Sequence, residues 1–362
     1  MTLLSLIRKK KKGNPSGSLD RMAWRRFRRN PLSIASLIVI CLFALVAILG
    51  YLITPDHTPY CNQQYLELAT LKPFSKATFL ITDETASHTS FFQRLAEGEP
   101  LNYTATPIKK YRYARDSVFA IPYNGDEIAV AASQARIEER TFILGTDAYG
   151  RDVLSMIMIG SRVSLSVGFI AILIALLLGI TLGALSAYYG GWVDNLILWI
   201  INVVWSIPTV LLVIAITFVL GKGFWQIFIA VGLTMWIDIA RVVRGEVFSI
   251  KEKEYVEATR ALGYSTFRTI FRHILPNITG AIVVIAASNF ASAILLEAGL
   301  SFLGIGVQPP MPSWGMMVKE NYGYILLDNA YLAFLPGLAI MLVVLAFMLI
   351  ANGLRDALDI KR

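Results

Sequence analysis

Six stretches of the chain are apolar for long enough to cross about 30 Å of hydrocarbon: Leu32 to Ile53, Ser164 to Ala187, Leu196 to Leu220, Phe224 to Val243, Ile278 to Phe302 and Tyr331 to Ala351. The pattern predicts an all-α polytopic membrane protein with six transmembrane helices. Asp238 and Arg241 fall in the last turns of the fourth run, which shortens its dry part. Asn30 suits the cap of the first helix and Pro31 its first position, where no intrahelical N–H bond is needed. Between the first two runs, residues 54–161 hold Pro55, Pro59, Pro73, Pro100, Pro107 and Pro122 without sustained helical period. A short helix, strands and ordered loop all fit that segment.

One stretch departs from its apolar surroundings: "EYVEATRALGYSTFRTIFRHILPN", Glu254 to Asn277. Tyr255, Ala258, Thr259 and Leu262 fall at i, i+3, i+4 and i+7, giving a first helix one narrow apolar face. Gly263 suits the left-handed residue that ends it, and Ser265 caps a second helix in which Phe267, Ile270, Phe271 and Ile274 repeat the spacing. Pro276 stops the pattern just before the fifth span. A helix, tight turn and second helix tethered to the membrane at both ends can rest on the bilayer surface or dock a soluble partner. A DNA-reading helix-turn-helix looks similar, but it needs a third helix and access to a major groove, which the two tethers deny it.

Composition agrees with the bilayer as main solvent: 56% of residues are hydrophobic and 16% charged, well below a soluble domain's share of about 25%. The net charge is +8, and its placement gives an orientation. Ten basic residues precede the first span (Arg8, Lys9 to Lys12, Arg21, Arg25, Arg26, Arg28, Arg29) and seven lie between Arg241 and Arg272. Arg355, Lys361 and Arg362 follow the last span, whereas the short loops opposite hold Lys222 and Lys319. Both termini and the Glu254 to Asn277 stretch are therefore expected on the cytoplasmic side, with residues 54–161 outside. "LDRMAWRRFRRN" mixes arginine with Trp24 and Phe27, as a helix lying on anionic lipid does; no nucleic-acid fold accompanies it. The N-terminal apolar run lacks a small-residue cleavage pattern and reads as a retained span. Cys41 and Cys61 show neither a disulfide framework nor metal-ligand company.

The candidate chemistry is sparse. "GTDAYGRD" lacks the alternating oxygen ligands and terminal glutamate of a calcium loop and fits a turn followed by a helix cap. Gly179 and Gly183 form a small-xxx-small step for close helix packing. No Gly-rich loop followed by Lys and Ser or Thr occurs, so no nucleotide or other cofactor is expected on this chain. Asn202, Ser206 and Thr209 share a face beside Pro208, and Ser288, Asn289 and Ser292 gather in the fifth span. Each group fits a translocation-path lining or ordinary interhelical hydrogen bonding. An ion-coupled secondary transporter would want ionisable residues at the bilayer midplane, whereas Asp238 and Glu297 read as lying toward helix ends.

Several motifs in order resemble the permease subunits of type I ABC importers, in the dipeptide, oligopeptide and nickel branch. The Glu254 to Asn277 stretch resembles their EAA loop, with Glu257, Ala258 and Thr259 at its opening, Gly263 at its glycine, Arg268 in its second half and Leu275 with Pro276 at its close. Thr259 departs from the usual alanine, and His273 stands where an apolar residue is usual. "WRRFRRNPLS", "LGTDAYGRDVLS", "YYGGWVD" and "LSFLGIGVQPPMPSWG" resemble other segments of that branch. The resemblance implies a basic N-terminus over residues 1–31, a first span at 32–53, an outside insertion and lead-in at 54–161, a five-helix transport domain at 162–353 with its coupling loop at 245–276, and a tail at 354–362. It implies a multi-pass subunit of the bacterial inner membrane, with a second similar permease, two cytoplasmic ATPases that use ATP and Mg, and an extracytoplasmic solute-binding protein as partners. Short peptides are the expected cargo, with nickel complexes or another small solute as alternatives; the long insertion loosens that inference.

Overall fold

The structure is a computed structural model that describes residues 16–83, 89–221 and 223–358. Arg8, Lys9 to Lys12, Lys222, Lys361 and Arg362 lie outside the described residues. A first helix, α1 (Ser16–Arg29), leads to α2 (Pro31–Ile53), whose start is fixed by Asn30 accepting from the Leu32 and Ser33 amides. After α2 come strand β1 (Ser75–Asp83), the short helix α3 (Phe91–Glu97) and strands β2 (Tyr103–Ala114), β3 (Ser117–Pro122), β4 (Ile128–Ala131) and β5 (Ala135–Phe142). The strands form one antiparallel sheet in the order β4-β3-β2-β1-β5. The all-α expectation is thus corrected for this segment. Strand β1, paired on both edges by β2 and β5, buries both of its faces, Phe79 and Ile81 on one side and Leu80 on the other, so it shows no polar alternation that would announce a strand.

The remaining helices follow: α4 (Val153–Tyr189), α5 (Gly191–Trp205), α6 (Thr209–Leu220), α7 (Phe224–Lys251), α8 (Glu254–Ala261), α9 (Thr266–Thr269), α10 (Leu275–Phe302), α11 (Trp314–Asn321) and α12 (Tyr331–Leu358). Five helical runs are long and apolar enough to cross a membrane, and α5 with α6 makes a further pair bent by 92°. The bend occurs at Ser206 to Pro208, where proline removes a helical N–H and crowds the preceding turn. Apolar side chains such as Leu42, Leu45, Phe334 and Met341 point outward from α2 and α12, as a lipid environment permits.

The centre of the bundle is the α4 and α7 pair. A Cβ on Gly179 would come within 2.6 Å of Ile239, and one on Gly183 within 2.5 Å of the Ala240 carbonyl oxygen, so glycine is what lets these helices meet. Asp152 caps α4 by accepting from the Ser155 amide, so "GTDAYGRD" is the turn and cap its composition suggests.

Arg162, on α4, fastens the insertion to the bundle. Its guanidinium donates to the carbonyls of Ala47 and Ile48 on α2 at 2.7 and 2.9 Å, and to Leu95 and Ala96 at the end of α3 at 3.0 and 2.9 Å. The α3 carbonyls are among those a helix end leaves without partners, and a cation there also meets the negative end of the helix dipole. Replacing Arg162 with methionine is expected to cost about 1.5–3 kcal/mol, the usual value of hydrogen bonding to a charged group. Thermal unfolding in detergent reads this loss, and lysine should restore little of it because one ammonium cannot span the fork.

Candidate functional site

The Glu254 to Asn277 stretch begins as a hairpin. α8 ends in a Schellman turn: the Gly263 amide donates to the Arg260 carbonyl at 2.9 Å and the Tyr264 amide to the Thr259 carbonyl at 3.0 Å. Gly263 has φ +74°, and nothing lies within 4 Å of where its Cβ would be, so backbone conformation alone calls for glycine there. Ser265 caps α9 with its side chain accepting from the Arg268 amide. Thr259 is buried where the related pattern has alanine; its hydroxyl donates to the Val256 carbonyl at 2.7 Å and stands 3.3 Å from the Thr269 hydroxyl, joining the two helices.

Two expectations are corrected here. Pro276 does not end the second helix, because α9 continues through one π turn (Ile270–Ile274) into α10, making a single apolar run from Thr266 to Phe302. In that turn the Leu275 amide reaches back to the Ile270 carbonyl, and the wider turn accommodates the proline ring and its missing N–H. Of the apolar face read at Tyr255, Ala258, Thr259 and Leu262 only Thr259 is buried: with Val256 it faces the bundle, whereas Tyr255 and Ala258 are exposed and Leu262 is 71% exposed. On the second helix Ile270 and Ile274 are buried, while Phe267 and Phe271 are open. Glu257 and Arg268 are also exposed, Arg268 lying over the Tyr264 ring at 4.3 Å. Leu275 is half-buried, and Pro276 is exposed.

A cavity of about 460 Å³ opens at membrane depth between the α5 and α6 bend, α7 and α10. Its polar wall is Thr209, Thr234, Asp238 and Ser292, and Trp205 gives it an aromatic side. Of the polar residues singled out by sequence, the structure brings Thr209 and Ser292 to this wall. Asn202, Ser206, Ser288 and Asn289 lie off it; the Ser206 hydroxyl turns to the Val203 carbonyl and the Asn289 amide to the Met235 carbonyl. Asp238 is a further correction. Since α7 continues to Lys251, this residue stands midway along the helix, roughly 20 Å of rise from its first residue.

A second cavity, of about 450 Å³, lies outside the bundle between β5 and the loop after α2, lined by Asp56, His57, Tyr65, Tyr103, Glu138 and Arg140 among others. Arg140 is satisfied there by Glu138, Gln63 and Tyr103. Burial, offset in part by Arg140, pushes the Tyr65 hydroxyl up to about 12. Cys61 is buried, its thiol donating to the Asp56 carbonyl at 3.1 Å, and Cys41 is exposed; both are free thiols. Among the described residues no group of three His, Cys, Asp or Glu is placed to hold a metal ion.

The family profile described as "Binding-protein-dependent transport system inner membrane component" matches residues 175–362, which contain the hairpin and most of the cavity wall. The chain belongs to this family. A second profile, "N-terminal TM domain of oligopeptide transport permease C", matches residues 18–73. Curated relatives include the glutathione transport system permease protein GsiD of Pectobacterium atrosepticum, 42% identical over 60% of this chain and 72% of that protein. They also include the dipeptide transport system permease protein DppC of Alkalihalophilus pseudofirmus, 44% identical over 60% of this chain and 71% of that protein. The DppC of Lactococcus lactis is 29% identical over 95% of this chain and 91% of that protein. Among solved structures, the inward-facing MetNI methionine ABC transporter overlaps with a TM-score of 0.46 at 20% identity, covering 58% of this chain and 98% of that one.

In this inner membrane transport component the end of α7 and the hairpin are tied to the bundle by contacts that sequence reasoning missed. Arg244 of α7 makes two bonds to Asp194 at the start of α5, at 2.7 and 2.6 Å, and the Ser186 hydroxyl donates to the same carboxylate. Lys251 donates to the Ala187 carbonyl at 2.9 Å, and Arg260 of α8 lies 5.0 Å from the centre of the Tyr188 ring at the end of α4. The aspartate in "YYGGWVD" and the arginine fifty residues later carry no local pattern that would pair them. At the other end of the bundle, Arg151 bridges Asp147 and Glu320, and buried Glu297 accepts from the hydroxyls of Ser164 and Ser301 at 3.1 and 2.7 Å. Glu297 thus ties α4 to α10.

Proposed function

We propose that this permease forms half of the translocation pathway of an ATP-driven importer of short peptides. In this reading the exposed face of the hairpin receives the motion of a cytoplasmic ATPase. The observation that carries the reading is the apolar exposure of Tyr255, Leu262, Phe267 and Phe271 on a hairpin whose other face is locked into the bundle. Each such side chain gains about 1.5–3 kcal/mol when a partner covers it. Glu257 and Arg268 supply polar contacts at the rim of that face. Because α9 runs without a break into α10, a push on the hairpin moves a span directly; Arg260 and Lys251 carry it to α4. Nucleotide and solute then bias one equilibrium between inward-open and outward-open arrangements.

In this assembly the bent α5 and α6 pair serves as one span of six, and both termini and the hairpin are cytoplasmic. A second similar permease completes the pathway, two ATPases use ATP and Mg, and an extracytoplasmic binding protein delivers solute. This chain binds no cofactor of its own. Thr209 and Ser292 line the path, and the sheet stands outside the membrane. Peptide as cargo is supported by the dipeptide and glutathione permeases among the relatives. Co-purification followed by vesicle uptake is the test: a complex containing ATPase that imports short peptides only with ATP is expected. Uptake driven by an ion gradient without ATP, or a complex lacking an ATPase, would refute the reading.

A further inference from the structure

The α7 carboxylate in this cavity has no hydrogen-bonded or ion-paired counter-charge among the described residues. Asp238 makes no hydrogen bond or ion pair with any described residue, and its side chain opens into the cavity of about 460 Å³. Arg241, on the next turn of α7, lies against the Trp205 ring, 4.0 Å from its centre, and acts on the carboxylate only through space. An ionisable side chain inside a membrane protein is costly to keep there, and such groups mark the paths of charged solutes. Here the chain offsets that cost only in part, through the field of Arg241.

The surrounding wall is largely apolar, and its freed backbone oxygens are acceptors. The break at Ser206 to Pro208 leaves the carbonyls of Trp205, Ser206 and Ile207 without a backbone donor among the described residues, and Trp205 and Ile207 both line the cavity. The Thr209 hydroxyl stands on the same wall. An ammonium brings three donors and no acceptor, so it wants one carboxylate and two neutral oxygens. A carboxylate cargo would meet repulsion from Asp238.

We propose that Asp238 is the cation-recognising residue of this cavity and takes the primary ammonium of a peptide in transit, from its N-terminus or from a lysine side chain. This rests on the peptide reading given above. Thr209 and the freed carbonyls position the ammonium against the carboxylate. The site therefore selects for a free amine during passage, after the binding protein has made its own selection.

The test is uptake by the complete assembly in proteoliposomes, using one short neutral peptide in three forms: with a free N-terminus, N-acetylated, and N-acetylated with a lysine added. Rates are divided by the measured occupancy of the binding protein for each form. Asp238→Asn is expected to slow the free-amine and lysine-bearing peptides by about tenfold or more, as the loss of a hydrogen bond to a charged group implies. The acetylated neutral peptide should change less than twofold, and Asp238→Glu should keep most of the selectivity. An effect on only one of the two amines identifies which ammonium the site reads. Equal slowing of all three forms would make Asp238 a contact to the second permease instead, and no slowing of any would also overturn the assignment. A wild-type assembly that hydrolyses ATP yet imports none of the three refutes the peptide reading itself, and the ammonium assignment falls with it.

Discussion

Changing Leu262 and Phe267 together to aspartate is expected to release the ATPase from the purified complex and abolish ATP-driven uptake, while the bundle stays folded. These side chains are 71% and 69% exposed, so their loss removes almost no packing from the chain itself. Surface changes of this kind usually alter stability by about 0.5 kcal/mol or less. At a docked interface the same change forfeits about 1.5–3 kcal/mol of burial per side chain and leaves carboxylates to be desolvated. Together that is on the order of 4 kcal/mol, or roughly a thousandfold in affinity. Pull-down of the ATPase and peptide uptake measure the loss, and an unchanged thermal unfolding midpoint shows that the chain is intact. Val256→Asp is the contrast: Val256 is fully buried one turn before Thr259, so that change should unfold the hairpin before any partner is involved. Full ATPase retention by the Leu262 and Phe267 double variant would refute docking through this face.

The same residues show why the hairpin was only half legible in the sequence. Spacing placed α8, the glycine turn and the cap at Ser265 correctly, because those depend on local chemistry. It could not say which side of α8 meets the bundle. The stripe of Tyr255 and Leu262 looks like a core face by periodicity, yet Val256 and Thr259 fill that role and the stripe is left open. Pattern reading assigns apolar faces to the chain's own interior, and a docking element breaks that assumption. At Pro276 the rule that proline ends a helix gave way to a π turn, a tertiary solution in which α10 and the hairpin remain one rod.

Spans were legible because the bilayer demands about twenty consecutive apolar residues. Their ends were less so, since helices continue past the hydrocarbon wherever polar residues keep the helical bonds. The unread extension of α7 to Lys251 is what put Asp238 at a helix end in the sequence and midway along it in the structure. Legibility was poorest in the insertion: β1 shows no alternation because both its faces are covered, and its partners β2 and β5 lie across long sequence gaps. Arg162 belongs to the same class, since nothing near it in sequence foretells four carbonyl acceptors on two other helices.

Two glycines separate folding from coupling. Gly183→Val is expected to fail at the level of the folded protein, because even its Cβ would stand 2.5 Å from the Ala240 carbonyl oxygen, and that atom belongs to the backbone of α7 and cannot swing aside. Forcing α4 and α7 apart costs about 1–3 kcal/mol for simple overpacking, and more where a backbone must move. It should appear as reduced yield, a lower unfolding midpoint and loss of the Arg244 to Asp194 clamp. Gly263→Val meets no atom within 4 Å, so its cost is the left-handed backbone at φ +74°, about 1–2 kcal/mol and confined to the turn. The bundle should therefore insert and melt as the wild type does. The Schellman turn opens, however, and α8 loses its fixed angle to α9; ATPase association and uptake are expected to fall together. Gly263→Asn supplies the control, since asparagine tolerates the left-handed region, and it should recover most of the coupling. Wild-type transport by Gly263→Val would show that the angle of the hairpin is not what transmits the ATPase stroke.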